Sequence, residues 1–163
     1  MSVRRKGATP SQLETLYRDR FEHFARVASA ICRDVDLGRD AVQAAFMTAV
    51  RRRRDYRGSG PIEAWVWRIV VNEARRLARE PQAEAFDAES ELAGNGHSED
   101  PLDLRVWIAA LPERQREALF LRYYADLEYR AIAEVLGIEV GTVSATLSAA
   151  HQTLRKRLEE VRR

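Results

Sequence analysis

Residues 111–158 read LPERQREALFLRYYADLEYRAIAEVLGIEVGTVSATLSAAHQTLRKRL, and they decide the fold. Within them Ala133, Gly137 and Val143 stand four and then six positions apart. Two closely crossing helices need a small residue at the crossing and a residue tolerant of positive φ at the turn. They then need an apolar residue that locks the second helix onto the first. Those three residues meet the requirements in order, and Ile132, Leu136, Ile138 and Leu147 furnish the buried side. The spacing predicts a first helix from Glu128 to Leu136 and Gly137 at its C′ position. It predicts a second helix N-capped by Thr142 and running to Val161. In a helix-turn-helix the second helix enters the major groove of DNA. An ordinary helical hairpin fits the three positions too. The flanks favour the larger unit: Pro112 opens a preceding helix carrying Ala118, Leu119, Leu121, Tyr123 and Tyr124, and a turn follows at Ala125–Asp126.

The whole chain fits an all-α protein. Its 163 residues are 45% apolar and 32% charged. Ala, Leu, Arg and Glu prevail, without an alternating β-branched run. No apolar stretch approaches the ~20 residues that span a bilayer. Arg4, Arg5 and Lys6 lead into no apolar segment, which argues against a signal peptide. Cys32 is the single cysteine, so no internal disulfide can form. It falls in an apolar helical stripe, as a buried thiol would. A cytoplasmic protein without membrane insertion is expected. His23, His97 and His151 are far apart, and no phosphate-cradling loop precedes a Lys-Ser/Thr pair. No enzyme, metal or cofactor is expected.

Charge is distributed unevenly. Residues 51–80 carry nine Lys/Arg against four Asp/Glu, and residues 81–103 carry none against seven. The expected organisation is a disordered basic arm over 1–8, a helical domain over 9–80, a flexible acidic linker over 81–101 and the helix-turn-helix domain over 102–163. Thr9, Pro10 and Gln12 spell a capping box with proline at the first helical position. Leu13, Leu16, Tyr17, Phe24, Val27, Ala28 and Ile31 follow at helical spacing. After a turn over Asp34–Gly38, a second helix is predicted from Arg39 to Asp55. It buries Val42, Phe46, Ala49 and Val50 and points Asp40 and Gln43 outward. Arg51–Arg54 suit a helix C-terminus and also a phosphate-facing surface. Pro61 opens a third helix ending near Arg79, with Ile62, Trp65, Ile69, Val70 and Leu77 apolar. Trp67, Arg68, Asn72, Arg75, Arg76 and Arg79 occupy its other faces. Aromatics beside arginines suit single-stranded nucleic acid, at ~1–3 kcal/mol per stacked base. Trp65 and Trp67 fit equally well as core side chains.

LPERQREALFLRYYADLEYRAIAEVLGIEVGTV resembles the promoter-binding C-terminal domain of the extracytoplasmic-function (ECF) group of bacterial sigma factors, in the sigma-70 family. Asp40–Phe46 (DAVQAAF) resembles the helix by which that family grips the polymerase clamp. Tyr56-Arg57-Gly58 through Trp65–Asn72 resembles the part that opens and reads the −10 promoter element. The resemblance implies a subunit that binds core RNA polymerase, through the β′ clamp and the β flap. It implies recognition and melting of the −10 element and docking on the −35 element of promoter DNA, with catalysis left to the polymerase. An anti-sigma factor is an implied partner.

Carried onto this chain, Asp40, Gln43 and Phe46 are expected to contact polymerase. Ala44 stands where the family usually has Glu or Asp. Arg57, Gly58, Ser59, Gly60, Trp65, Arg68, Asn72, Arg75 and Arg76 are expected at the −10 element. Thr142, Ser144, Ala145, Thr146, Ser148, His151 and Arg155 are expected at the −35 element. The reading helix has no Lys or Arg before Arg155, so binding there is expected to be weak, with a shallow salt dependence. A helix-turn-helix regulator that never engages polymerase competes with this reading. So does an interaction module that has lost DNA binding.

Overall fold

The structure is a computed structural model that describes residues 7–81 and 104–163. It is all-α, with helices α1 (Pro10–Cys32), α2 (Val35–Arg51) and α3 (Ile62–Arg79) in one domain. Helices α4 (Leu104–Ala109), α5 (Glu113–Tyr123), α6 (Tyr129–Leu136) and α7 (Val140–Val161) form a second. The linker expected over 81–101 lies outside the described residues except for Pro81, as does most of the basic arm.

The N-terminal domain is an antiparallel hairpin of α1 and α2 with α3 packed across it. The capping box forms: the Gln12 amide donates to Thr9 Oγ1 at 3.2 Å, and the Thr9 amide donates to Gln12 Oε1 at 2.9 Å. Arg33 ends α1 in the left-handed region at φ 55°, and Asp34 caps α2 by accepting from the Leu37 amide at 2.8 Å. The second helix therefore starts at Val35, four positions before the predicted Arg39, and the expected turn over Asp34–Gly38 is its first turn. It also stops at Arg51, and Arg53–Asp55 form a separate 3₁₀ turn. A chain of rings fills this core. Phe46 meets Tyr17 and Phe24 edge-on at 5.0 and 5.4 Å, and Phe24 lies 4.3 Å from Trp67.

The third helix buries Ala64, Val66, Trp67, Val70, Val71 and Ala74. The predicted stripe was rotated, leaving Trp65 and Ile69 half-buried. Val50, expected inside, is exposed. Ala8, placed in a disordered arm, is buried, and its amide donates to the Arg53 carbonyl at 2.8 Å.

In the C-terminal domain α6 and α7 are joined by three residues, Gly137–Glu139, and cross at 99°. Gly137 takes φ 65°, and the Ile138 amide donates back to the Ala133 carbonyl at 3.0 Å. Ala133, Val143 and Leu147 are buried, as the spacing requires. Thr142 is not the N-cap: α7 already begins at Val140, with Glu139 before it. Arg116 is buried and donates to the carbonyls of Ala109 and Leu111 at 3.1 and 3.2 Å, fixing the turn between α4 and α5. Burial, with Arg33 nearby, lowers its pKa.

The two domains touch where α3 lies against α6 and α1 against α5. No single described helix is long and apolar enough to cross a membrane.

Candidate nucleic-acid interface

Three surfaces carry the predicted site residues. The first is a cleft of about 810 Å³ where the 3₁₀ turn and the following loop meet α3. Arg52, Arg54, Arg57 and Arg68 line it, against Asp55 and Glu134. Arg52 Nε donates to Asp55 Oδ2 at 2.9 Å. Gly58 turns the loop at φ 69°, and the Tyr56 hydroxyl donates to the Gly60 carbonyl. That bond holds the Tyr56 ring 5.7 Å from Trp65, tilted by 48°. An aromatic pair beside a surplus of guanidinium groups offers stacking faces and a backbone track in one place.

The cleft continues along one row of α3. Trp65, Arg68, Asn72 and Arg75 recur at three- and four-residue steps, which is one helix face. Arg68 and Asn72 are exposed. The α3 start is fixed by Glu63, which accepts from Arg20 Nη2 at 3.0 Å and from Trp67 Nε1 at 3.4 Å. Arg76 is held between Glu73, at 3.0 Å, and Glu80, and the Glu73 hydrogen bond raises its pKa. Arg75 leaves the exposed set. Its Nε donates to Glu117 Oε1 on α5 at 3.0 Å and its Nη2 to Oε2 at 2.5 Å. The hydrogen bond to Glu117 raises the Arg75 pKa against the cost of burial.

The second surface is the solvent side of α7. Thr142, Ser144, Ala145, Ser148, His151 and Arg155 are exposed and Thr146 is half-buried, while Val143, Leu147 and Ala150 face the core. His151 Nε2 lies 2.9 Å from the Tyr123 hydroxyl.

The third is a hollow of about 520 Å³ between α1 and α2, lined by Leu13, Tyr17, Gln43, Phe46, Met47 and Val50 among others. Asp40 and Gln43 are exposed beside it. Phe46 is only 6% exposed and belongs to the core, whereas Met47 is 61% exposed. The sequence reading missed Met47 and Val50. Their signal was a pair of apolar side chains on α2 beside the row of Val42, Phe46 and Ala49. Among the described residues no cluster of His, Cys, Asp or Glu is placed to hold a metal ion.

Residues 16–84 match the family Sigma-70 region 2, and residues 102–154 match Sigma-70, region 4. The ECF RNA polymerase sigma-E factor of Escherichia coli (strain K12) is 30% identical over 161 residues, covering 86% of this chain and 83% of that protein. The chain belongs to the ECF group of the sigma-70 family. This sigma factor directs RNA polymerase to promoters and is not an enzyme. It is also 29% identical to the RNA polymerase sigma-H factor of Pseudomonas aeruginosa, over 80% of this chain and 77% of that one. Two solved structures share the sigma factor's fold at 21% identity. CnrH in complex with the cytosolic domain of CnrY aligns with TM-score 0.71 over 94% of this chain and 91% of that one. The sigma factor RpoE of Bartonella quintana, in complex with the anti-sigma factor NepR, aligns with TM-score 0.70 over 91% and 98%.

Proposed function

We propose that residues 9–80 engage the β′ clamp of core RNA polymerase and read and melt the −10 element. In this reading residues 81–101 tether a helix-turn-helix domain, residues 102–163, that docks on the −35 element and the β flap. The observation that carries it is the arginine-lined cleft with its Tyr56–Trp65 pair. A base flipped from the stack needs a ring to lie on and a backbone that lets it approach. Trp65 supplies the ring, and Gly58, Ser59 and Gly60 form the open loop. Arg57 and Arg68 hold phosphates, and Asn72 reads a base edge. Arg75 and Arg76 extend the track once freed from their carboxylates.

Polymerase docking falls to Asp40 and Gln43 together with Met47 and Val50, and Phe46 supports them from beneath. On the −35 side, the three-residue turn and the 99° crossing suit a groove-reading helix. Thr142, Ser144, Ala145, Thr146 and Ser148 meet the bases, and Arg155 meets the backbone. With so few cations the domain binds weakly alone. The tether and the shared polymerase supply the missing affinity as effective concentration.

The protein works in the cytoplasm, and an anti-sigma factor is its second partner. An apolar cleft of about 580 Å³ between the domains, rimmed by Arg26, Arg33 and Arg39, suits an inhibitor helix with acidic flanks.

The test is run-off transcription from a promoter library by core polymerase plus this chain, comparing wild type with Gln43→Ala/Met47→Ala. Transcripts that depend on the chain and fall in the double variant support the reading. No transcript from a folded chain with active core overturns it.

A further inference from the structure

We propose that Gln152 is a base-reading residue of the −35 contact and that it selects an adenine through a pair of hydrogen bonds to the major-groove edge of that base. The proposal rests on the −35 reading of α7 given above and names the base that the helix selects.

The helix geometry picks Gln152 out. Val143, Leu147 and Ala150 bury one side of α7 against its own domain. Gln152 stands nine positions after Val143, about two and a half helical turns, so it leaves the helix on the opposite side. Ala145 and Ser148 share that outer row with it at steps of three and four, and all three are exposed. Ala145 and Ser148 are short, so neither holds the α7 backbone away from base edges. Reading helices place base contacts as far as seven positions apart, which is the separation of Ala145 and Gln152.

Chemistry then decides the base. Between Val140 and Leu154, Gln152 is the only side chain that ends in an amide or a guanidinium group. An amide carries one acceptor and one donor side by side, which match the N6 amino group and N7 of adenine. Guanine presents two acceptors there and suits the paired donors of an arginine, and no Lys or Arg precedes Arg155 in α7. A serine or threonine hydroxyl bonds to several bases and discriminates little. The neighbouring His151 is engaged with the Tyr123 hydroxyl at 2.9 Å. Among the described residues no hydrogen bond engages the Gln152 amide. Arg155 and Lys156, exposed just beyond it, can follow backbone phosphates and hold the register.

The experiment uses holoenzyme assembled from core polymerase and the full chain. One promoter recovered from the run-off library has its upstream element randomised again, with a barcode in the transcribed part that reports each upstream sequence. Transcript counts are compared for wild type, Gln152→Ala and Gln152→Arg; the position is exposed, so both variants keep the core. The expected result is an adenine favoured about tenfold at one upstream position by wild type, lost in Gln152→Ala and replaced by guanine in Gln152→Arg. An unchanged upstream preference in Gln152→Ala overturns the proposal, whatever Gln152→Arg does. So does a uniform loss of transcript across all sequences, which would mark a contact without base choice, or the loss of a base other than adenine. If Gln152→Ala loses adenine and Gln152→Arg gains no guanine, the direct contact is overturned. If no promoter is recovered, or no protein shows any upstream preference, the −35 reading of α7 falls and takes the proposal with it.

Discussion

The Tyr123 hydroxyl and Nε2 of His151 lie 2.9 Å apart, tying the end of α5 to the middle of α7. The two rings stand 5.7 Å apart at 59°. One of the few polar groups on the outer face of α7 is thus turned toward its own domain. Tyr123→Phe and His151→Ala should each cost little, but non-additively, with a coupling of about 0.5 kcal/mol in a double-mutant cycle. Urea unfolding of the four proteins measures it; additive effects would mean that the contact contributes nothing.

The neighbouring tryptophans of α3 separate structure from recognition. Trp67 is fully buried against Phe24, so Trp67→Ala should cost about 3–5 kcal/mol. Trp65 is half-buried beside Tyr56, so Trp65→Ala should cost about 1 kcal/mol and act mainly on promoter opening. Thermal unfolding beside permanganate footprinting of the −10 region separates the two effects.

Two glycines matter for opposite reasons. A Cβ on Gly38 would stand 2.5 Å from the Ser29 backbone, because α1 and α2 cross there. Gly38→Ala should cost about 3 kcal/mol. A Cβ on Gly137 would meet no neighbour, and only its φ of 65° resists substitution. Gly137→Ala should cost about 1 kcal/mol. Chemical denaturation ranks them, and the reverse order would place the tight crossing elsewhere.

Burial, with the Asp34 charge second, pushes the Cys32 thiol up to about 11, and its Sγ lies 3.4 Å from the Ala74 carbonyl. The folded state thus favours the neutral thiol. This contribution is fully present below the ordinary value of 9.0 and is lost as pH rises from there toward 11. Cys32→Ser should flatten the fall in stability across that window. Iodoacetamide at pH 8 should label native protein far more slowly than unfolded chain.

What the sequence revealed and what it hid follow from range. The Thr9–Gln12 capping box and the Gly137 turn are local patterns, and both formed at the expected residues. Gly38 misled because a glycine between two apolar helices reads as a turn, whereas here it lies inside α2 and permits a close crossing. Trp67 and Val50 were harder still. An amphipathic helix with apolar residues on several faces does not declare which face the neighbours will cover. Tertiary packing turned Trp67 inward and left Val50 outside. The Arg75–Glu117 pair spans 42 positions, and nothing local to either residue announces the other.

The short N-terminal strap has a practical consequence. Ala8 is hydrogen-bonded to Arg53, and a side chain at Gly7 would collide with the same carbonyl, 2.6 Å from the position of its Cβ. A purification tag joined directly at residue 8 would wedge against the arginine-rich turn beside the cleft. Cloning boundaries for the isolated N-terminal half therefore belong ahead of Gly7. An affinity handle is better appended after Arg163, where the last turn of α7 is open to solvent.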